Sequence, residues 1–169
     1  MKRVPMVTAL VIAVVFGAPA IADDDSSLLR FEGGIGVDPV AGISAGAPLS
    51  NVVQGVSPGG RPWVIKSLRA KVMSGGRIKV KGEGLLLSAT DNIGGVGGVT
   101  TVAATLFCSG GEPAGYSSSG VPLNASGDFE IKDMLTGLPP NPCDKPVLLI
   151  RNVTAGVLGS WFAAAIPKN

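Results

Sequence analysis

Histidine is absent from the 169 residues, and cysteine occurs only twice. Without His, a serine nucleophile lacks its ordinary base, and the usual imidazole ligands for zinc and copper are missing. Two cysteines alone do not complete a four-ligand metal site, so no cofactor is expected. Aromatic residues make up 5% of the chain and charged residues 15%. The interleaved aromatic and basic side chains of a single-stranded nucleic-acid platform are therefore lacking as well. No stretch beyond residue 22 shows an apolar period of 3.6, so helix is expected to be a minor component at most.

What is present begins with a leader. Lys2 and Arg3 precede an apolar run from Val7 to Phe16, broken only by Thr8, and Ala20-Ile21-Ala22 is followed by Asp23-Asp24-Asp25. A positive start, a short apolar centre and a small-x-small site predict a signal peptide over residues 1–22. The alternative is an uncleaved anchor, disfavoured because the run is well short of the roughly 20 residues that span a bilayer. The residue directly after the cleavage site is Asp23 and not cysteine, which speaks against a lipid anchor. The expected location is extracytoplasmic (secreted, periplasmic or at the cell surface), with no transmembrane span after cleavage. Lys2 and Arg3 account for the formal net charge of +2, so the remainder is formally neutral. That balance argues against a dedicated nucleic-acid binder.

Export also sets the redox context. Cys108 and Cys143 are expected to be bonded, rather than to be two buried free thiols. Closing a loop of that size stabilises the fold by roughly 3–4 kcal/mol in the chain-entropy view.

Glycine is abundant, with 25 residues, many of them in pairs such as Gly33-Gly34, Gly59-Gly60, Gly75-Gly76 and Gly97-Gly98. Short Val-, Ile- and Leu-rich runs between such punctuation predict an all-β sandwich or barrel. The clearest unit pairs Trp63–Met73 with Arg77–Leu87. Leu68, Ala70 and Val72 alternate with Arg69 and Lys71, and Ile78 and Val80 alternate with Arg77, Lys79 and Lys81. A three-residue loop, Ser74-Gly75-Gly76, sets Val72 against Ile78 and keeps both apolar sets on one face. Further strands are expected around Val99–Leu106, Asp128–Met134, Pro146–Asn152 and Trp161–Ile166. Pro146–Ile150, apolar on both faces, is expected to be central. Leu138–Pro142 cannot pair centrally, since proline supplies no ladder donor, and reads as a connector that delivers Cys143. Residues 23–60 read as a Gly/Pro-rich arm with one or two edge strands, and residues 61–169 as the sandwich core.

Two resemblances accompany this pattern. Val102-x-Ala104-x-Leu106, a loop, and Ser126-Gly127-Asp128-Phe129-Glu130-Ile131-x-x-Met134-Leu135 resemble the strand–loop–Gly-x-Phe-x-Ile pattern of transthyretin-like and collagen-binding-B-type sandwich modules. That resemblance implies that the glycine begins a turn, that the aromatic and aliphatic residues pack inward, and that the module serves as a stalk, spacer or accessory. Pro58–Ile65, Pro142-Cys143 with Pro146–Arg151, and Trp161–Ala164 resemble a group of uncharacterised exported bacterial proteins. This second resemblance implies a compartment and a domain type, and no activity.

Chemical motifs are few. Gly42-Ile43-Ser44-Ala45-Gly46 fits the Gly-x-Ser-x-Gly pattern, but without histidine or a strand–turn–helix context Ser44 is not expected to be a nucleophile. Gly33–Asp38 lacks the preceding strand and the Lys-Ser/Thr pair of a phosphate loop. Asp23–Asp25 reads as a solvated tail, and Asn124-Ala125-Ser126 and Asn152-Val153-Thr154 match the glycosylation triplet. The one anomaly is charge: Arg61, Lys66, Arg69, Lys71, Arg77, Lys79 and Lys81 occur without an intervening acid. The hairpin register sets Lys71 across from Lys79 and Arg69 across from Lys81, and like charges directly opposite are destabilising. Solvent, with Asp128 and Glu130 on a neighbouring strand, is one way to offset this. An anionic partner is the other.

The expected fold is an all-β, immunoglobulin-like antiparallel sandwich of about seven to nine strands with one disulfide. The expected function is a non-enzymatic envelope module, structural or ligand-binding. Its contact face would carry Arg69, Lys71, Arg77, Lys79 and Lys81, and its partner would be an anionic envelope polymer or another envelope protein. The alternatives are a small secreted hydrolase or inhibitor using an arm residue such as Ser44, and a β-barrel carrier of a small apolar ligand.

Overall fold

Alternation of polar and apolar residues, broken by glycine and proline, yields strands and no helix in the computed structural model, which describes residues 26–168. The leader predicted over 1–22 and the Asp23–Asp25 run lie outside the described residues. Thirteen strands follow in order. They are β1 (Ser27–Gly36), β2 (Val40–Ser44), β3 (Ala47–Ser50), β4 (Trp63–Val64), β5 (Ser67–Met73), β6 (Arg77–Glu83) and β7 (Leu86–Leu87). The second half supplies β8 (Thr101–Ser109), β9 (Tyr116–Ser117), β10 (Val121–Pro122), β11 (Phe129–Met134), β12 (Asp144–Thr154) and β13 (Val157–Pro167). Nine of them form one antiparallel sheet in the order β10–β8–β12–β13–β1–β5–β6–β11, with β9 also paired to β8. The remaining pairs, β2–β3 and β4–β7, are small ribbons beside it.

The β5–β6 hairpin has the expected register: Val72 faces Ile78, Lys71 faces Lys79 and Arg69 faces Lys81. Gly76 takes φ +81° and donates its N–H to the Met73 carbonyl, which closes the three-residue loop. Trp63–Met73 is not one continuous strand. It breaks at Ile65-Lys66, and its partner breaks at Gly84-Leu85, where the Asp128 carboxylate accepts from the Gly84 N–H and the Gly127 carbonyl from the Leu85 N–H. Trp63 still faces Leu87, now in the separate β4–β7 ribbon.

The segment expected to hold edge strands instead supplies a central one. β1 lies between β13 and β5, bonded to both. Its glycines act as points of close approach: a Cβ on Gly36 would lie 2.0 Å from the Trp63 carbonyl oxygen. The backbone of β4 thus crosses directly over β1, and the Val37 carbonyl accepts from the Trp63 N–H.

β12 is central, as its apolar run requires: Leu148, Leu149 and Ile150 are fully buried, between β8 and β13. Opposite them β13 offers Ala163, Ala164 and Ala165, small side chains set against large ones. The sheet folds over until its two ends meet, giving a sandwich or half-barrel around one core. At the meeting line Ser117 exchanges bonds with Thr136: its N–H reaches the Thr136 hydroxyl at 3.0 Å and its carbonyl accepts the Thr136 N–H at 2.9 Å. The Ser119 N–H donates to the Asp133 carboxylate at 2.6 Å. Leu138–Pro142 has no strand structure and delivers Cys143 to Cys108 in a disulfide with a Cα–Cα distance of 5.1 Å. Gly127 takes φ +78° in the turn before β11, and Phe129 and Ile131 are buried.

Candidate functional site

The outer face of β1, β5, β6 and β11 gathers most of the charge that the sequence leaves scattered. Because antiparallel register aligns residues straight across strands, two rows form. The first reads Glu32, Arg69, Lys81, Glu130: an acid at each end and two bases between. The second reads Arg30, Lys71, Lys79, Lys132 and contains only cations. Adjacent strands lie about 4.8 Å apart, so the cationic row is about 14 Å long.

Local ion pairs neutralise the first row and leave most of the second exposed. Glu32 is bonded to Lys168, and that partner lowers its pKa; Arg69 adds a weaker pull. Glu130 pairs with Lys132 at 2.7 Å, which lowers the carboxyl pKa in the same way. Lys81 pairs with Glu83 at 2.7 Å; the hydrogen bond raises the lysine pKa and lowers that of the glutamate. Among the described residues no carboxylate lies within ion-pair distance of Lys71 or Lys79. Between the rows runs a shallow, open hollow of about 270 Å³ lined by Arg69, Lys71, Lys79, Lys81, Glu130 and Lys132. A second hollow of about 270 Å³ continues it over β1, with Arg30, Glu32 and Lys168 on its rim.

Of the residues singled out in the sequence, Arg69, Lys71, Lys79 and Lys81 stand together on this face. Arg77 begins β6 one step beyond the rows, opposite Met134. Glu130 is the neighbouring acid anticipated. Asp128 is not part of the face, because its carboxylate is turned to the Gly84 N–H. Sequence reasoning missed Arg30, Glu32, Lys132 and Lys168. The usable signal was Arg30-Phe31-Glu32, an alternation around a buried aromatic, and Glu130-Ile131-Lys132 repeats it.

The other motifs resolve into turns. Ala45 and Gly46 have φ of +50° and +81°, so Gly42–Gly46 is the end of β2 followed by the two-residue Ala45-Gly46 turn of the β2–β3 hairpin. Ser44 is exposed at its end, and residues 39–50 contain no charged side chain to serve as a base. The Asn124 side chain accepts from the Ser126 and Asp128 N–H groups and holds the turn into β11. Among the described residues no three potential ligands cluster as a metal site, and no helix is long and apolar enough to cross a membrane. No protein-family model, curated protein or solved structure matches the chain.

Proposed function

We propose that this chain is an exported, non-enzymatic module of immunoglobulin-like character. In this reading it works outside the cytoplasm and contacts an anionic component of the envelope through the outer face of β1, β5, β6 and β11. The observation that carries the reading is the row Arg30, Lys71, Lys79, Lys132, four cations abreast with no acid among them. Surface charges of one sign set side by side weaken the sheet that bears them, and a bound polyanion offsets that cost. The disulfide is compatible with an oxidising compartment.

The interior favours a module over a carrier. Leu68, Ile78, Leu106, Ile131, Leu148 and Ile150 fill the space that an apolar ligand would occupy. Ser44 has no base on its own hairpin, which weighs against the hydrolase alternative.

The test is retention on the anionic envelope fraction of an expressing cell. The wild type should bind and be eluted by salt. Replacing Lys71, Lys79 and Lys81 together by Gln should weaken retention and flatten its salt dependence. Wild-type protein with no salt-dependent retention would end this proposal. Labelling by a serine-directed fluorophosphonate would favour the hydrolase instead.

A further inference from the structure

Resting on that reading, we infer that the occupant is a linear acidic polysaccharide laid across the strands, with its carboxylates spaced along Arg30, Lys71 and Lys79 and, at the end of the row, competing with Glu130 for Lys132. The cations form a line rather than a disc: one per strand over four strands, bounded on one side by a row whose charges cancel. A line at about 4.8 Å spacing matches a polymer that carries charge at regular short intervals. A uronate chain does so, with one carboxylate per sugar and a sugar length close to the strand spacing.

The hollow along the row is shallow and open. Small ligands are usually buried by 70–90% in concave sites, so an extended occupant suits this face better than a compact one. Lysines hold the two middle positions. Lysine meets anions as a mobile point charge, without the rigid fork that would select one anion geometry. No aromatic or large apolar side chain occupies either row, and the exposed Met134 beside them is a single apolar side chain, so the rows offer neither a base-stacking platform nor an insertion into lipid. At the ends of the neutral row, Glu32 and Glu130 are held ionised by Lys168 and Lys132.

The experiment is calorimetric titration of the purified protein with α-1,4-linked oligogalacturonates of one to eight units at low salt. Affinity should climb steeply from one to about four units and then level off. Each surface cation in such an array contributes about a fivefold factor in affinity. Lys71→Gln and Lys79→Gln should therefore each weaken the octamer about fivefold, whereas Lys81→Gln, whose charge is already met by Glu83, should weaken it less than twofold. Lys79→Arg should restore binding, which separates loss of charge from loss of fold. Three results would overturn the linear-polymer inference while leaving an anion-binding face intact. They are equal affinity for monomer and octamer, equal loss from Lys79→Gln and Lys81→Gln, and tighter binding to phosphatidylglycerol vesicles than to any oligomer. Absence of binding to all of these anions at low salt would remove the underlying reading as well.

Discussion

Lys79 stands in the middle of the cationic row, facing Lys71 on one side and Lys132 on the other. If the row is maintained for a partner, removing Lys79 should make the free protein more stable. Like charges in opposed strand positions cost about 0.2–1 kcal/mol per pair; exposure puts these pairs in the lower half of that range. Lys79→Gln removes the repulsion with Lys71 and that with Lys132, the second weakened by the Glu130–Lys132 pair, and should stabilise by about 0.5 kcal/mol. Lys79→Glu turns both into attractions and should stabilise by about twice as much. For a domain of this size the melting temperature should rise by about 3–4 °C per kcal/mol. The assay is urea unfolding at about 10 mM and about 1 M salt, where the Debye length falls from about 30 Å to about 3 Å. Most of the gain should vanish at high salt. Arg61→Gln, which removes a cation outside the row, controls for net charge and should change stability little. If Lys79→Glu leaves the low-salt midpoint unchanged or lowers it, the row is not electrostatically strained and the argument for a compensating polyanion loses its footing.

Three further outcomes test the scaffold. Replacing Cys108 and Cys143 by Ser should cost about 3–4 kcal/mol in urea unfolding, from the loop that the bond closes; a loss below about 1 kcal/mol would contradict that origin. Asp133→Asn should destabilise by about 1 kcal/mol at neutral pH, because its carboxylate accepts the Ser119 N–H where the ends of the sheet meet, discounted for partial solvent exposure. That bond lowers the Asp133 pKa. Its contribution is therefore present above the unfolded carboxyl value of about 3.9 and is lost as pH falls through the lower folded value. Wild type and variant should converge on acidification, and a gap that persists to about pH 2 would refute the assignment. Gly36→Ala would place a methyl 2.0 Å from the Trp63 carbonyl oxygen and should cost about 3 kcal/mol or more, read as a drop of about 10 °C in melting temperature. A fall of less than about 3 °C would mean that β4 can lift away from β1.

The β5–β6 hairpin was legible because two independent signals agreed: an alternation that allows only one register, and a glycine at the one loop position with positive φ. β12 was legible because an apolar run between proline and charge has few places to go except the middle of a sheet. β1 was not. Gly33, Gly34 and Gly36 looked like loop punctuation, whereas in the fold Gly33 takes φ +92° at a bulge within β1, and Gly34 and Gly36 are the positions over which Ile65, Leu68 and Trp63 press. Periodicity cannot tell a glycine that turns from one that makes room, since that depends on what lies above it. Missing β1 as a central strand also hid one end of each row, Arg30 and Glu32. Lys132 was hidden differently. Its strand was foreseen as a neighbour that brings Glu130 to the hairpin, but the register that sets Lys132 beside Lys79, across more than forty residues of intervening chain, is a tertiary fact with no local trace.

The position of β13 has a consequence for how the molecule is made. It is bonded to β12 on one side and to β1 on the other, and so joins the β8–β12 half of the sheet to the β1–β5–β6–β11 half. Until residues 157–167 have been synthesised, the two halves lack their common member, and β12 has a free edge beside the most apolar run in the described chain. Assembly must wait for a strand more than 120 residues beyond β1, a long-range closure of the kind that slows folding.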